Sequence, residues 1–310
     1  MGLTKFPKGV SSFGIPVIGG GSIPTTTGSY FFVGNQHSGV DAPGYGTMEK
    51  PFATLDYAIG KCTADKGDVI IVMPGHAENI ASAGGITCDV AGVTVVGLGN
   101  GGKRPRFSFT AADATFVISA DDITFSNIQW EAKYADVAIG LDVSAVDSLT
   151  FNNCWFTESA TNLNYVIVID LANGASNITV DNCVCTCSDA ANDSFINGVA
   201  CSGLTVVNSR IYFTTAQTTA CGQIATSGNS TNTLIKRCDF VSLVNGALHI
   251  DLNGTANTGV IAECYFSSLD TAGAVTTAID ATGCHVFECY VAGEADSFGL
   301  IGGGTVYNNS

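Results

Sequence analysis

Apolar and polar positions alternate along this chain in short runs that recur at a nearly fixed interval. The clearest copies are Leu149-Thr-Phe-Asn-Asn-Cys154-Trp-Phe156 and Ile178-Thr-Val-Asp-Asn-Cys183-Val-Cys185. Others begin at Val93, Ile123, Leu204, Thr233, Gly259 and Cys284, in steps of 30, 26, 29, 26, 29, 26 and 25 residues. In each copy the first, third, sixth and eighth positions are apolar or small and the rest mostly polar. The period-two alternation slips by one at the fourth and fifth positions, where Asn stands at 127, 153, 182 and 208. Asn tolerates the left-handed backbone of a tight bend, and its side chain bonds to nearby backbone. Two strands, a bend and a third strand elsewhere in the period predict one coil of a right-handed parallel β-helix. Successive coils then lie about 4.8 Å apart, so a column in the repeat becomes a ladder in space.

The sixth column reads Leu98, Ile128, Cys154, Cys183, Ser209, Cys238, Cys264 and Cys289, and so takes five of the twelve cysteines. Thiols are small, apolar and favoured inside. Neighbours in a regular ladder point the same way, whereas a disulfide needs β-carbons about 4 Å apart. The column is therefore expected to hold reduced core thiols, with no metal.

The remaining segments complete an all-β fold class: a single-stranded solenoid with a short N-terminal capping helix and an extended N-terminal arm. Residues 1–28 contain no acid, are rich in Gly, Pro, Ser and Thr, and carry apolar residues between them. They are expected to form an anchoring arm, with Leu3, Lys5, Phe6, Lys8, Phe13 and Ile15 as its contact residues. Residues 29–85 read as an N-terminal cap. It holds a strand at Ser29–Val33, a helix from Leu55 capped by Thr54 with Leu55, Ala58, Ile59 and Cys62 on one stripe, and a buried strand at Asp68–Met73. An open solenoid end exposes core and unpaired edges, so a helix across it is expected. Coils fill 86–291, and 292–310 close the chain.

The order strand, Gly-rich loop, PFATLDYAI, GDVIIVMPG and then coils resembles the pectate-lyase-like right-handed β-helix superfamily, particularly its bacteriophage members. The opening MGLTKFPKGVSSFGIPV is similar to the N-terminus of tailed-phage virion proteins that carry such a β-helix. The resemblance implies a structural protein of a virion, made in the host cytoplasm. It would be an exterior capsid decoration or head-spike protein, held by its arm to the major capsid protein or a tail or portal-region protein, and is expected to be a homotrimer. The alternative it implies is a tail spike or fibre component that binds or depolymerises a host surface glycan.

Charge and candidate chemistry narrow these expectations. Net charge is −15 with only twelve Lys and Arg, which excludes a nucleic-acid backbone as partner. No apolar run is long enough to span a bilayer and no signal peptide is evident. The one basic cluster, Lys103-Arg104-Pro105-Arg106, reads as a solvated turn or a contact with an acidic neighbour. His37, His76, His249 and His285 read as turn or surface residues. No cofactor motif is present, and the chain is expected to lack enzymatic activity. Were it an enzyme, Asp142 and Asp170 would be its catalytic pair: both follow an apolar residue, and they stand 28 positions, one coil, apart. Asp251 and Asp280 share that setting, while Asn197 or Ala200 interrupts the column. Trp155, Tyr212, Tyr265 and Tyr290 alternate with core positions and suggest a sugar-binding strip. A lyase would also need an arginine beside the acids, and the coils offer Arg210 and Arg237.

Overall fold

A computed structural model describes residues 11–12, 15–16, 24, 26–189, 191–192, 194–214, 222–242, 248–268, 277–293 and 299–301. Three parallel sheets of ten, nine and nine strands run the length of the molecule, and each successive coil adds one strand to each sheet. The first sheet begins at Tyr30–Val33 and Val69–Val72 and ends at Cys284–Phe287. The second runs from Ala77–Ile80 to Tyr290–Gly293, and the third from Ile86–Cys88 to Gly299–Ile301. This is the expected right-handed parallel β-helix. Ser11–Ser12 and Ile15–Pro16 form a separate antiparallel pair. Leu3, Lys5, Phe6, Lys8 and Phe13 lie outside the described residues.

The copies stack in register. Leu149 pairs with Ile123 on one side and Ile178 on the other, and Phe151 with Phe125 and Val180. Inward columns are buried, and aromatic side chains on neighbouring rungs stack. Phe125 and Phe151 stack with ring centroids 5.7 Å apart, Trp130 and Phe156 at 5.2 Å, and Phe240 and Phe266 at 5.0 Å. Each such pair adds about 0.5–1.5 kcal/mol to what burial alone contributes. Cys154, Cys183, Cys238 and Cys264 are buried and unbridged, and Cys289 is half-buried and unbridged. Their thiols donate to backbone carbonyls of their own or a neighbouring coil, as Cys183 Sγ does to Asp181 and Phe151.

The slip in alternation is a left-handed residue between the first and second sheets. Asn127, Asn153, Asn182 and Asn208 have φ of 57°, 53°, 53° and 53°. Their backbone N–H groups continue the ladder, that of Asn153 to Asp181 O at 3.0 Å. Their amides also link rungs: Asn153 Nδ2 donates to Asn127 Oδ1 at 3.2 Å, and Asn127 Nδ2 to Gly97 O at 2.7 Å. Gly97 holds the matching place one copy earlier, where a β-carbon would lie 2.3 Å from Asn127 O.

The N-terminal end is closed by the helix Leu55–Ile59, which buries Leu55, Ala58 and Ile59 against the first coil. Thr54 Oγ1 accepts the Tyr57 N–H, while Asp41 accepts the N–H groups of Ala53 and Thr54. His76 and His249 correct the expectation that the histidines lie in turns or at the surface, because both are buried. His76 receives the Asn35 N–H and bonds Glu78 Oε2 at 2.9 Å. His249 bonds Gln223 Oε1 at 2.6 Å, and desolvation pushes its pKa down to about 3.

The left-handed bend is directly testable. Asn182→Val places a β-branched residue at φ 53° and should destabilise the protein by about 1–2 kcal/mol, whereas Asn182→Gly should be near neutral. Urea denaturation of the two variants checks this.

Candidate active site on the third sheet

An outward column of the third sheet holds the acids. In register it reads Thr87, Val117, Asp142, Asp170, Asn197, Ala225, Asp251 and Asp280. Each Asp is the polar centre of an apolar triplet: Leu141 and Val143, Ile169 and Leu171, Ile250 and Leu252, and Ile279 and Ala281 are all buried. Because successive strand residues face opposite ways, burying those flanks forces the carboxylates outward. Asp142 and Asp170 are therefore adjacent rungs, as their spacing predicts, and Asn197, not Ala200, follows them.

The strands that carry this pair, Val137–Val143 and Tyr165–Leu171, are the longest of their sheet among the described residues. They are locked by Tyr165, whose ring would meet a β-carbon at Gly140 within 2.7 Å. Upstream of the acids, Ile139 and Ile167 stand half-buried in register. Partial burial first, and the neighbouring Asp170 second, push the Asp142 carboxyl above its ordinary pKa. Asp251 is raised in the same way by burial and Asp280. Asn197 Nδ2 donates to Asp170 Oδ1 at 2.6 Å, a bond with no counterpart signal in the sequence. Among the described residues, no group of three or more His, Cys, Asp or Glu is gathered closely enough to hold a metal ion.

The remaining candidates lie elsewhere. Arg210 is paired with Asp239 at 3.6 Å on the second sheet, and Arg237 Nε donates to Asn208 Oδ1 at the bend. Neither is on the face of the acids. The aromatic strip is interrupted. Tyr265 and Tyr290 are in-register and exposed, but Val184, Arg210 and Asp239 separate them from Trp155, and Tyr212 lies in a different column. Trp155 is covered by the Arg104 guanidinium, 4.4 Å above its ring. Arg104 is buried and also donates to Asn153 O, so the basic cluster is not a solvated turn. Its other arginine, Arg106, approaches the buried Glu131 at 3.4 Å, which is the acidic contact expected.

No family model matches the chain, and no curated protein matches it. Solved structures do. A rhamnogalacturonan lyase aligns over 84% of this chain and 73% of its own, at 12% identity and a TM-score of 0.49. The pectin methylesterase from Aspergillus niger aligns over 89% and 88%, at 17% identity and 0.48. Pectate lyase Pel9A aligns over 90% and 80%, at 10% identity and 0.48. The likeness is one of fold. These neighbours are enzymes, so the expectation of a chain without enzymatic activity does not stand.

The raised carboxyl has a stability signature. The fold holds the Asp142 proton more tightly than the unfolded chain does. Its contribution is thus complete below the ordinary value of about 3.9 and is lost as pH rises through the folded value. Asp142→Asn should be more stable than the parent at pH 7, by less than about 1 kcal/mol because the site is largely solvent-screened, and the gap should close near pH 3. Denaturant midpoints at the two pH values check this.

Proposed function

We propose that the chain acts on a surface polysaccharide, which it binds along the outer face of the third sheet and hydrolyses with Asp142 and Asp170. The observation that carries this reading is the in-register carboxylate pair, one member of which is pushed toward its protonated form. Adjacent rungs set the two carboxyl groups about 5 Å apart, the separation of retaining glycosidases rather than the wider one of inverting enzymes. Asp142 protonates the glycosidic oxygen as the bond breaks. Asp170 attacks the anomeric carbon, and water releases the sugar with Asp142 acting as base. With Arg210 and Arg237 engaged on other faces, hydrolysis fits this face better than β-elimination, which needs a base beside the acids.

Charge selects the substrate class. A rod of net charge −15 repels a polyuronate, so the favoured glycan is neutral or carries amino sugars. Reducing ends released from a panel of neutral, amino and acidic polysaccharides test this. Asp142→Asn and Asp170→Asn should each lower release on the order of 10²-fold or more with the circular dichroism unchanged. No release from any member of the panel by the parent protein would count against the reading.

The finer part of the proposal concerns where the protein works. We infer a spike or fibre component of a tailed-phage virion, made in the host cytoplasm and trimeric, whose segment 1–28 holds it to other virion proteins. The support is the resemblance of the opening residues, together with the way the end of that segment is tied to the rod. Thr26 Oγ1 donates to Gly67 O, Ser29 N donates to Asp68 Oδ1 at 2.5 Å, and Tyr30 Oη donates to Pro24 O at 2.9 Å. Removing residues 1–28 should abolish attachment to particles and leave polysaccharide release intact, as read by particle sedimentation and the reducing-end assay. Retained attachment would refute it.

A further inference from the structure

The outer column of the third sheet carries two carboxylate pairs, and they differ in what stands beside them. Asp142 and Asp170 are followed by Asn197, whereas Asp251 and Asp280 are preceded by Ala225. Asn197 sits between buried Ile196 and buried Gly198, so its side chain is directed outward into the column. Its amide nitrogen lies 2.6 Å from Asp170 Oδ1. An amide N–H can only donate, so the oxygen it meets must be an acceptor.

We propose that Asn197 is a positioning residue: by donating to Asp170 it fixes that carboxylate as the proton-free member of the pair and leaves Asp142 to carry the proton the two must share. Two carboxylates one rung apart resist double ionisation, so the first proton they take up on acidification is divided between them. A donor on one side decides which oxygen stays bare. The groups facing the pair are few. The strand Phe116–Ile118 supplies Val117 beside Asp142, the strand Ser194–Gly198 supplies Asn197 beside Asp170, and no ion pair among the described residues reaches either acid. The inference rests on the acid and nucleophile roles argued above for its bearing on catalysis, but the location of the proton does not depend on them.

The experiment is a pH titration of the full chain labelled with ¹³C at the aspartate carboxyls, with the four resonances assigned from single Asp→Asn variants. In the parent, Asp142 should hold the proton through the range where Asp170 is bare. In Asn197→Ala the Asp170 carboxyl should gain proton occupancy over that range at the expense of Asp142. Ala225→Asn transplants the donor beside Asp251 and should move the proton of the second pair from Asp251 to Asp280; it keeps the test open if Asn197→Ala does not fold. Unchanged proton occupancy in either folded variant overturns the proposal, as does a parent in which Asp170 holds the proton. In the reducing-end assay Asn197→Ala should lose kcat without a rise in KM, and its acid limb should shift. Because the titration needs no substrate, a protein inert toward every polysaccharide would sink the hydrolase reading while leaving the proton assignment intact.

Discussion

Register between coils is the constraint on which the rest of the molecule depends. Parallel strands about 4.8 Å apart keep like positions face to face, so each column of the repeat meets itself again on the next rung. Inside, this produces stacked phenylalanines and a line of thiols. At the bend it produces a run of asparagines whose amides bridge coils. A shift of one residue would turn every inward side chain to water, and the continuous apolar columns are what forbid it.

The acid pair is a product of the same rule applied to an outward column. Nothing local brings Asp142 to Asp170: they are a coil apart in the chain, and only stacking makes them neighbours. Like charges at that distance oppose each other, and water on one side is not enough to remove the conflict. The fold meets it with a raised Asp142 carboxyl and an amide donor beside Asp170, and those are also the two ingredients the proposed acid–base chemistry would use. Electrostatic tension and candidate reactivity here have one origin.

Much of this was legible in the chain. The cysteine column, the asparagine bend, the Thr54-capped helix and the juxtaposition of Asp142 with Asp170 all follow from counting positions against the repeat. What was not legible depends on side-chain direction. Arg104 lies over Trp155 because a long guanidinium stem turned inward at a corner, and no spacing encodes that turn. His76 and His249 are buried with bonded partners in places where the alternation is broken by the cap and by a corner. The aromatic strip failed because alternation identifies outward residues without saying which of two outward columns each one joins. Tyr212 belongs to a different one from Tyr265, and Arg210 and Asp239 fill the rungs between. Asn197 could be placed near the acids, but its bond to Asp170 depends on a rotamer.

The bend changes character along the rod. Asparagine occupies the left-handed position in four coils, but Arg237, Glu263 and Glu288 occupy it in the next three, with φ of 54°, 54° and 53°. Over the same stretch the outward column of the first sheet passes from Thr94, Thr124, Thr150, Thr179 and Thr205 to Leu234, Val260 and His285. Asn visits that conformation more readily than Arg or Glu because its short polar side chain bonds locally, and a solenoid's stability is a sum over neighbouring units. The rod is therefore expected to be mechanically polar, with the coils that carry Arg237, Glu263 and Glu288 held less firmly than those that bear Asp142 and Asp170.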